Sequence, residues 1–317
     1  MSVNNKKILV IGGAGFIGSV LIKELMKERV EIIVIDKLSL GRTDYIDTTK
    51  VEFHKININD IDQVLNVLSG VEVDEVWHLA ANSDIPAGVE DINIDLADTY
   101  MSTVSTLKVM KLIECKRLYF ASSSAVYGFN KKRLHEDIGP LMPISNYGAM
   151  KLSSEALISA CLESFLDKAC IYRFPNVVGV PATHGVILDF VKRLKQDPYC
   201  LKVLGNGKQQ KSYLHVDDLV EAMLFINNNV GLGMNYYNIG PMDDGVSVKQ
   251  IAEEAVKVVA PRAVINYQTS DRGWVGDVPQ FFYSVEKLKE LGWFTKSSSL
   301  EAISRAVLEV AVQEGAL

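Results

Sequence analysis

Tyr147 and Lys151 stand four residues apart in Tyr147-Gly148-Ala149-Met150-Lys151, with the run Ser122-Ser123-Ser124 upstream. On a helix, side chains at i and i+4 share a face with Cβ atoms about 5–6 Å apart, so the ammonium can lie beside the phenol. A free tyrosine has a pKa of about 10 and is a poor base at neutral pH. One close positive charge lowers an acid's pKa by roughly 1–3 units. A phenolate made in this way can take the proton from an alcohol whose carbon is losing a hydride. The pair alone is equally an aromatic and a solvated lysine on a helix surface. Its meaning depends on the elements that position it.

Those elements begin with Lys6-Lys7-Ile8-Leu9-Val10-Ile11, a short apolar run that reads as a buried strand. It leads into Gly12-Gly13-Ala14-Gly15-Phe16-Ile17-Gly18 and then an amphipathic helix expected from Ser19 to Glu28. Gly12, Gly15 and Gly18 let the backbone turn tightly and approach a pyrophosphate, whose charge meets the helix N-terminus. A second strand, Glu31 to Ile35, ends in Asp36, a residue able to accept hydrogen bonds from both hydroxyls of an adenosine ribose. In this strand–turn–helix–strand–Asp context the glycines predict a dinucleotide site. Asp36 repels a 2′-phosphate and favours NAD, whereas the neighbouring Lys37 could pair with that phosphate. An oxidised nicotinamide would place a second positive charge near Tyr147.

Composition narrows the class further. The chain has 317 residues, enough for one nucleotide domain and a smaller lobe. A formal charge of −6 and the lack of a Lys/Arg cluster argue against a nucleic-acid surface. Cys115, Cys161, Cys170 and Cys200 are scattered without a CxxC or Cys/His pairing. They read as reduced thiols of a cytosolic protein, not as a metal site or a disulfide frame. No apolar run approaches membrane-spanning length and no signal peptide is expected, so the reading is a soluble cytoplasmic protein without a membrane partner.

Strand-like and helix-like segments alternate through the first half. Strands are expected at 51–54, 75–81, 117–121 and 169–174, and helices at 61–68, from Leu96 to Glu114, and from Tyr147 to about Leu166. Repeated βα units predict an α/β fold, a Rossmann-type doubly wound parallel sheet. Its ligand would sit at the carboxyl ends of the strands, where the glycine loop, Ala80-Ala81, Ser123 and Asn176 fall. His78, inside an apolar strand, reads as a packed core residue. The later sequence carries longer, Gly- and Asn-rich loops and reads as a smaller α/β substrate-binding lobe. We place the boundary between residues 1–179, the NAD-binding domain, and 180–317, with segments of the latter returning to the former.

The chain resembles the extended short-chain dehydrogenase/reductases, specifically the NAD-dependent nucleotide-sugar epimerases and dehydratases, over almost its whole length. Beyond the glycine loop and the Tyr147/Lys151 pair, the resemblance rests on His78-Leu79-Ala80-Ala81, Ser122-Ser123 before Val126-Tyr127-Gly128, and Arg173-Phe174-Pro175-Asn176-Val177-Val178-Gly179. Further matches are Gly205-Asn206-Gly207-Lys208-Gln209, Tyr213-Leu214-His215-Val216-Asp217-Asp218, Tyr237-Asn238-Ile239-Gly240 and Arg272-Gly273-Trp274-Val275-Gly276-Asp277.

The resemblance implies roles residue by residue. Ser123 would hydrogen-bond the reacting sugar oxygen, Tyr147 would be the general base, and Lys151 would hold the nicotinamide ribose and lower the phenol pKa. Phe16, Ile17, Leu79, Ala80 and Ala81 join the glycines, Asp36 and Lys37 as cofactor contacts. Ser124, Asn176, Lys211 and Arg272 join Ser123 as substrate contacts. Tyr127-Gly128 would shape the loop above the nicotinamide. The implied activity is 4-epimerisation of a UDP-hexose such as UDP-glucose or UDP-galactose through a 4-keto intermediate, with NAD as cofactor and no metal. UDP-glucuronate 4-epimerase, or a nucleotide-sugar reductase or dehydratase, is the alternative. The related 4,6-dehydratases carry Thr-Asp-Glu where this chain has Ser123-Ser124-Ala125, which lacks the acid and base that dehydration needs. Departures include Ser102 in place of a common asparagine, Lys211 in place of a frequent arginine, and a short Asn82 to Asp95 segment. A homodimer through the helices near 96–114 and 147–166 is also implied.

Overall fold

The computed structural model describes residues 5–130, 132–270 and 282–317. The chain divides into two compact units that interleave along the sequence. The first comprises Met1–Val126, Asn146–Arg173 and Ile226–Tyr237; the second comprises Tyr127–Ser145, Phe174–Phe225 and Asn238–Leu317. The chain crosses between them five times. The crossings arise in part because a late strand, Gly233–Asn238, joins the sheet of the first unit.

That sheet has seven strands: β1 (Lys6–Ile11), β2 (Val30–Asp36), β3 (Glu52–Lys55), β4 (Glu75–His78), β5 (Arg117–Ala121), β6 (Lys168–Arg173) and β7 (Gly233–Asn238). Their spatial order is β7-β6-β5-β4-β1-β2-β3, and β1 to β6 run parallel. Ile8 to Ile11 of β1 and Ile32 to Ile35 of β2 are wholly buried, as expected of apolar runs covered on both faces. Trp77 stacks on its register partner Tyr119 with ring centroids 4.5 Å apart, which ties β4 to β5.

The strand order reverses between β1 and β4, and the crevice beyond their carboxyl ends is where such sheets bind ligands. Register sets what lies there. Ile11 pairs with Ile35 on one side and His78 on the other, so the glycine loop leaves the sheet between Asp36 and Leu79.

The helices around the sheet are α1 (Phe16–Leu25), α2 (Ile61–Val67), α3 (Ile85–Glu90), α4 (Ile92–Asp95), α5 (Ser102–Leu112) and α6 (Asn146–Leu162). The single helix expected from Leu96 to Glu114 starts instead with a π-helical stretch, Leu96–Met101. Hydroxyls compete for its carbonyls. Ser102 Oγ donates to Asp98 O at 2.8 Å and Thr103 Oγ1 to Thr99 O at 3.0 Å. The Asn82 to Asp95 segment contains α3 and α4.

The second unit has its own core, formed by helices Val186–Gln196, Val248–Val259 and Ser299–Gln313 around short strand pairs. Ser247 and Ser298 close capping boxes at the last two helices. Among the described residues, no helix is long and apolar enough to cross a membrane.

Candidate active site

At key positions of the glycine loop nothing but hydrogen fits. Gly12 has φ +82°, and a Cβ there would lie 2.6 Å from Ala80 N. At Gly18 a Cβ would lie 2.3 Å from Gly12 O, so α1 packs directly onto the turn. The helix begins at Phe16, three residues before the sequence suggested, with Gly15 as its N-cap. No side chain caps this end and no acid occupies its first turn. Its free N–H groups and positive dipole end suit a pyrophosphate. Leu79 N and Ala80 N both donate to Ile11 O, at 2.9 and 3.0 Å, which holds the 79–81 segment beside the loop.

Asp36 closes the cofactor side. Its Oδ2 accepts from Ala14 N at 3.0 Å and its Oδ1 from Leu38 N at 2.8 Å. Burial raises its pKa, while those two N–H groups and Lys37 oppose the rise. Each carboxylate oxygen keeps a lone pair for a ribose hydroxyl. The cradle that a Cβ would fill, the uncapped helix end and the fixed carboxylate together fit NAD.

Tyr147 and Lys151 lie on α6 as the four-residue spacing requires. Lys151 is buried, donates from Nζ to Ala121 O at 2.6 Å, and sits 4.6 Å above the Phe120 ring and 5.8 Å from the Tyr147 ring centre. Because Ala121 ends β5, the lysine is tied to the strand whose next residues are Ser122 and Ser123. The Ser123 hydroxyl hydrogen-bonds the Tyr147 phenol and favours its ionised form. The sheet and one helix thus bring Ser123, Tyr147 and Lys151 together.

The electrostatics differ from the simple expectation. Burial pushes the Tyr147 phenol up to about 12, against the Ser123 hydrogen bond and with the Asp95 charge adding to the rise. Burial likewise pushes Lys151 down to about 7, opposed by Glu155 and Asp95. Desolvation outweighs the pairing, so the resting phenol carries its proton. His78 is buried against Thr103, with Nε2 3.1 Å from Oγ1, and burial pushes it down to about 3, so it is neutral.

Two partners of this centre escaped the sequence reading. Glu155 continues the stripe one turn beyond Lys151, and that same spacing of four could have found it. It accepts from Arg173 Nε at 3.0 Å, from Arg173 Nη2 at 2.6 Å and from Ser122 Oγ. The three residues are buried and lock α6 to the ends of β5 and β6. Removing one partner of a buried pair strands the other charge. Arg173→Met is therefore expected to lose about 3–5 kcal/mol of stability in urea unfolding, with partial recovery in Glu155→Gln/Arg173→Met.

Asp95, at the end of α4, is the second. It is fully buried, with Oδ1 accepting from Asn82 Nδ2 at 2.9 Å and Oδ2 without a hydrogen-bond partner. Burial raises its pKa, and its charge acts on both Tyr147 and Lys151. No local spacing announces it, because only folding sets α4 against α6.

The remaining expected residues lie as follows. Ser124 opens a 3-10 turn, Ser124–Tyr127, in which Ala125 N donates to Ser123 Oγ at 3.2 Å. Asn176 begins a strand of the second unit and pairs in register with Tyr213, and Lys211 lies in the strand Gln210–Lys211 of that unit. Tyr127 is buried in the second unit, its hydroxyl donating to Asn238 Oδ1 at 2.7 Å. Arg272 lies outside the described residues. Among the described residues, no group of three or more His, Cys, Asp or Glu side chains could hold a metal ion.

The family model of the NAD dependent epimerase/dehydratase family matches residues 8–240. UDP-glucose 4-epimerase of Lactobacillus helveticus is 30% identical over 80% of this chain and 81% of its own length. A crystal structure of UDP-galactose 4-epimerase superposes with a TM-score of 0.86 at 32% identity, covering 97% of this chain and 99% of the other. The Thermus thermophilus UDP-glucose 4-epimerase in complex with NAD gives a TM-score of 0.84 at 26% identity, covering 96% and 98%.

Proposed function

The chain belongs to the NAD-dependent epimerase/dehydratase family, and from that premise we propose that it is a nucleotide-sugar 4-epimerase acting on a UDP-hexose, UDP-glucose or UDP-galactose. The observation that carries this reading is the Ser123–Tyr147–Lys151 cluster beside a dinucleotide cradle, without an acidic residue at 124 or 125 to drive dehydration.

In the proposed mechanism the glycine loop, Asp36 and the 79–81 segment would hold NAD, which would supply the hydride acceptor and donor for C4 of the sugar. Tyr147 takes the proton of the 4-hydroxyl and returns it after the sugar has turned over. Ser123, hydrogen-bonded to the phenol, steadies the same oxygen as it becomes a ketone. Lys151 favours the phenolate and holds the nicotinamide ribose. Ser124, Asn176, Lys211 and Arg272 are assigned to the nucleotide sugar.

The test is to incubate the purified protein, without added cofactor, with UDP-glucose, UDP-galactose, their N-acetyl forms and UDP-glucuronate. Products are resolved by proton NMR. Interconversion of UDP-glucose and UDP-galactose is expected. Conversion of UDP-glucuronate alone would replace the substrate assignment with a uronate. No conversion of any sugar by NAD-loaded protein would overturn the epimerase reading.

A further inference from the structure

Three cations stand near the carboxyl end of β2, where the adenosine ribose would lie. Lys37 follows Asp36 directly, Arg42 lies in the next loop, and Lys55 pairs with Asp36 in the β2–β3 register. Any of them could hold the 2′-phosphate of NADP and offset the repulsion from Asp36. Two are already engaged. Arg42 grips Asp44 with both prongs, Nε to Oδ1 at 2.9 Å and Nη2 to Oδ2 at 2.8 Å. Lys37 Nζ lies 2.6 Å from Oδ1 of Asp98, 61 residues away in sequence.

The second pair is set up by the fold. Asp98 sits in the π-helical stretch Leu96–Met101, and Ser102 Oγ hydrogen-bonds its carbonyl. The stretch is further held by Asn59 Nδ2 donating to Ala97 O at 3.0 Å, with Asn59 Oδ1 in turn accepting from Ser105 Oγ at 2.9 Å. A helix start fixed in this way keeps the carboxylate where it meets the lysine. Both side chains are partly shielded, at 37% and 26% exposure, so the pair is less screened than a free surface contact. A π-turn at such a position is the kind of irregularity that accompanies function.

We propose that Asp98 is a cofactor-specificity residue: by holding Lys37, it withholds that ammonium from a 2′-phosphate and lets Asp36 enforce the choice of NAD. Selectivity of this kind works by removing an attraction for the wrong ligand as well as by adding one for the right ligand. The inference rests on the reading of Asp36 as the ribose-facing carboxylate.

The test is competition. The full-length protein is equilibrated with equal concentrations of NAD and NADP, and the bound ratio is read by native mass spectrometry. Wild-type protein is expected to retain NAD; an NADP-loaded wild type would overturn the Asp36 reading itself. Asp98→Asn is expected to shift the ratio toward NADP by about two- to fivefold, the size of one partly exposed charge contact. Lys37→Ala/Asp98→Asn is expected to restore the wild-type ratio. Lys37→Ala alone is expected to hold the ratio at NAD or move it further that way, because it removes a cation and leaves the Asp98 carboxylate unopposed. An unaltered ratio in Asp98→Asn would overturn the proposal, as would a shift that survives in the double variant and so belongs to Lys55 or Arg42. A shift toward NADP in Lys37→Ala would also overturn it, and that variant serves if Asp98→Asn does not fold.

Discussion

Tyr147→Phe is expected to lower kcat for epimerisation by about 10²–10⁴-fold, the range for loss of a positioned general acid–base group. The substitution removes one oxygen from a half-buried ring that hydrogen-bonds Ser123, so little else changes. Ser123 keeps its second bond, accepting from Ala125 N, and Lys151 keeps its own to Ala121 O. The fold and the cofactor cradle should therefore survive, and KM should move little, because the phenol acts on the reacting proton alone. The measurement is kcat and KM for the sugar converted in the NMR panel, beside the bound cofactor in the same protein. A large fall in kcat with NAD retained assigns the base. An unchanged kcat would remove Tyr147 from the chemistry, and a loss of NAD would make its role one of binding.

What the sequence revealed of this centre was what its residues do locally. The glycine loop could be read because a turn, a helix end and a strand-end Asp36 fall within one βα unit and obey short-range rules. Arg117–Ala121 was bounded correctly because a continuous apolar run between polar ends has few alternatives in a buried sheet. That Tyr147 and Lys151 share a helix face followed from helical period, and their meaning from the glycine loop and serine run around them. The rest depends on distance along the chain. Lys37 meets Asp98, and Asp95 acts on Tyr147, only because β1 sits between β2 and β4 and because α4 approaches α6. Neither follows from spacing. The π-turn was hidden for another reason: Thr99, Ser102 and Thr103 read as ordinary helix residues until their hydroxyls claim backbone carbonyls. The interleaved units were hidden because Gly233–Asn238 pairs with β6 across a long stretch of chain.

The phenol is the instructive case. Proximity to an ammonium predicted a lowered pKa, yet burial of both groups wins, leaving Tyr147 near 12 and Lys151 near 7. The two must therefore be treated as one site. Loss of one proton from the Tyr147–Lys151 pair gives either a neutral amine beside a phenol or an ammonium beside a phenolate. The proton count is the same for both, and only the second is reactive. Glu155, which favours the charged lysine, shifts this balance toward the ammonium, whereas Asp95 favours the ammonium and opposes the phenolate together.

From this follows the expected behaviour of Lys151→Met, which keeps an unbranched apolar stem and removes the charged amine. The pair in wild-type protein gives up its first proton as pH rises through about 7, so kcat/KM should climb below that pH and level off above it. Without the lysine, only the phenol titrates. A neighbouring cation stabilises phenolate and the Asp95 anion opposes it, so removing the cation raises the Tyr147 pKa above its already elevated value. The variant should then be slower at neutral pH by about 10- to 1000-fold, the equivalent of 1–3 pKa units. Its kcat/KM should also keep rising by about tenfold per pH unit through the region where the wild-type curve is flat. Some stability will be lost, since Ala121 O forfeits its buried donor, and urea unfolding of the same variant separates that loss from the catalytic one. A uniform drop with the wild-type profile intact would mean that Lys151 merely positions cofactor or strand. A curve that continues to climb past pH 7 would show that its charge sets the basicity of Tyr147.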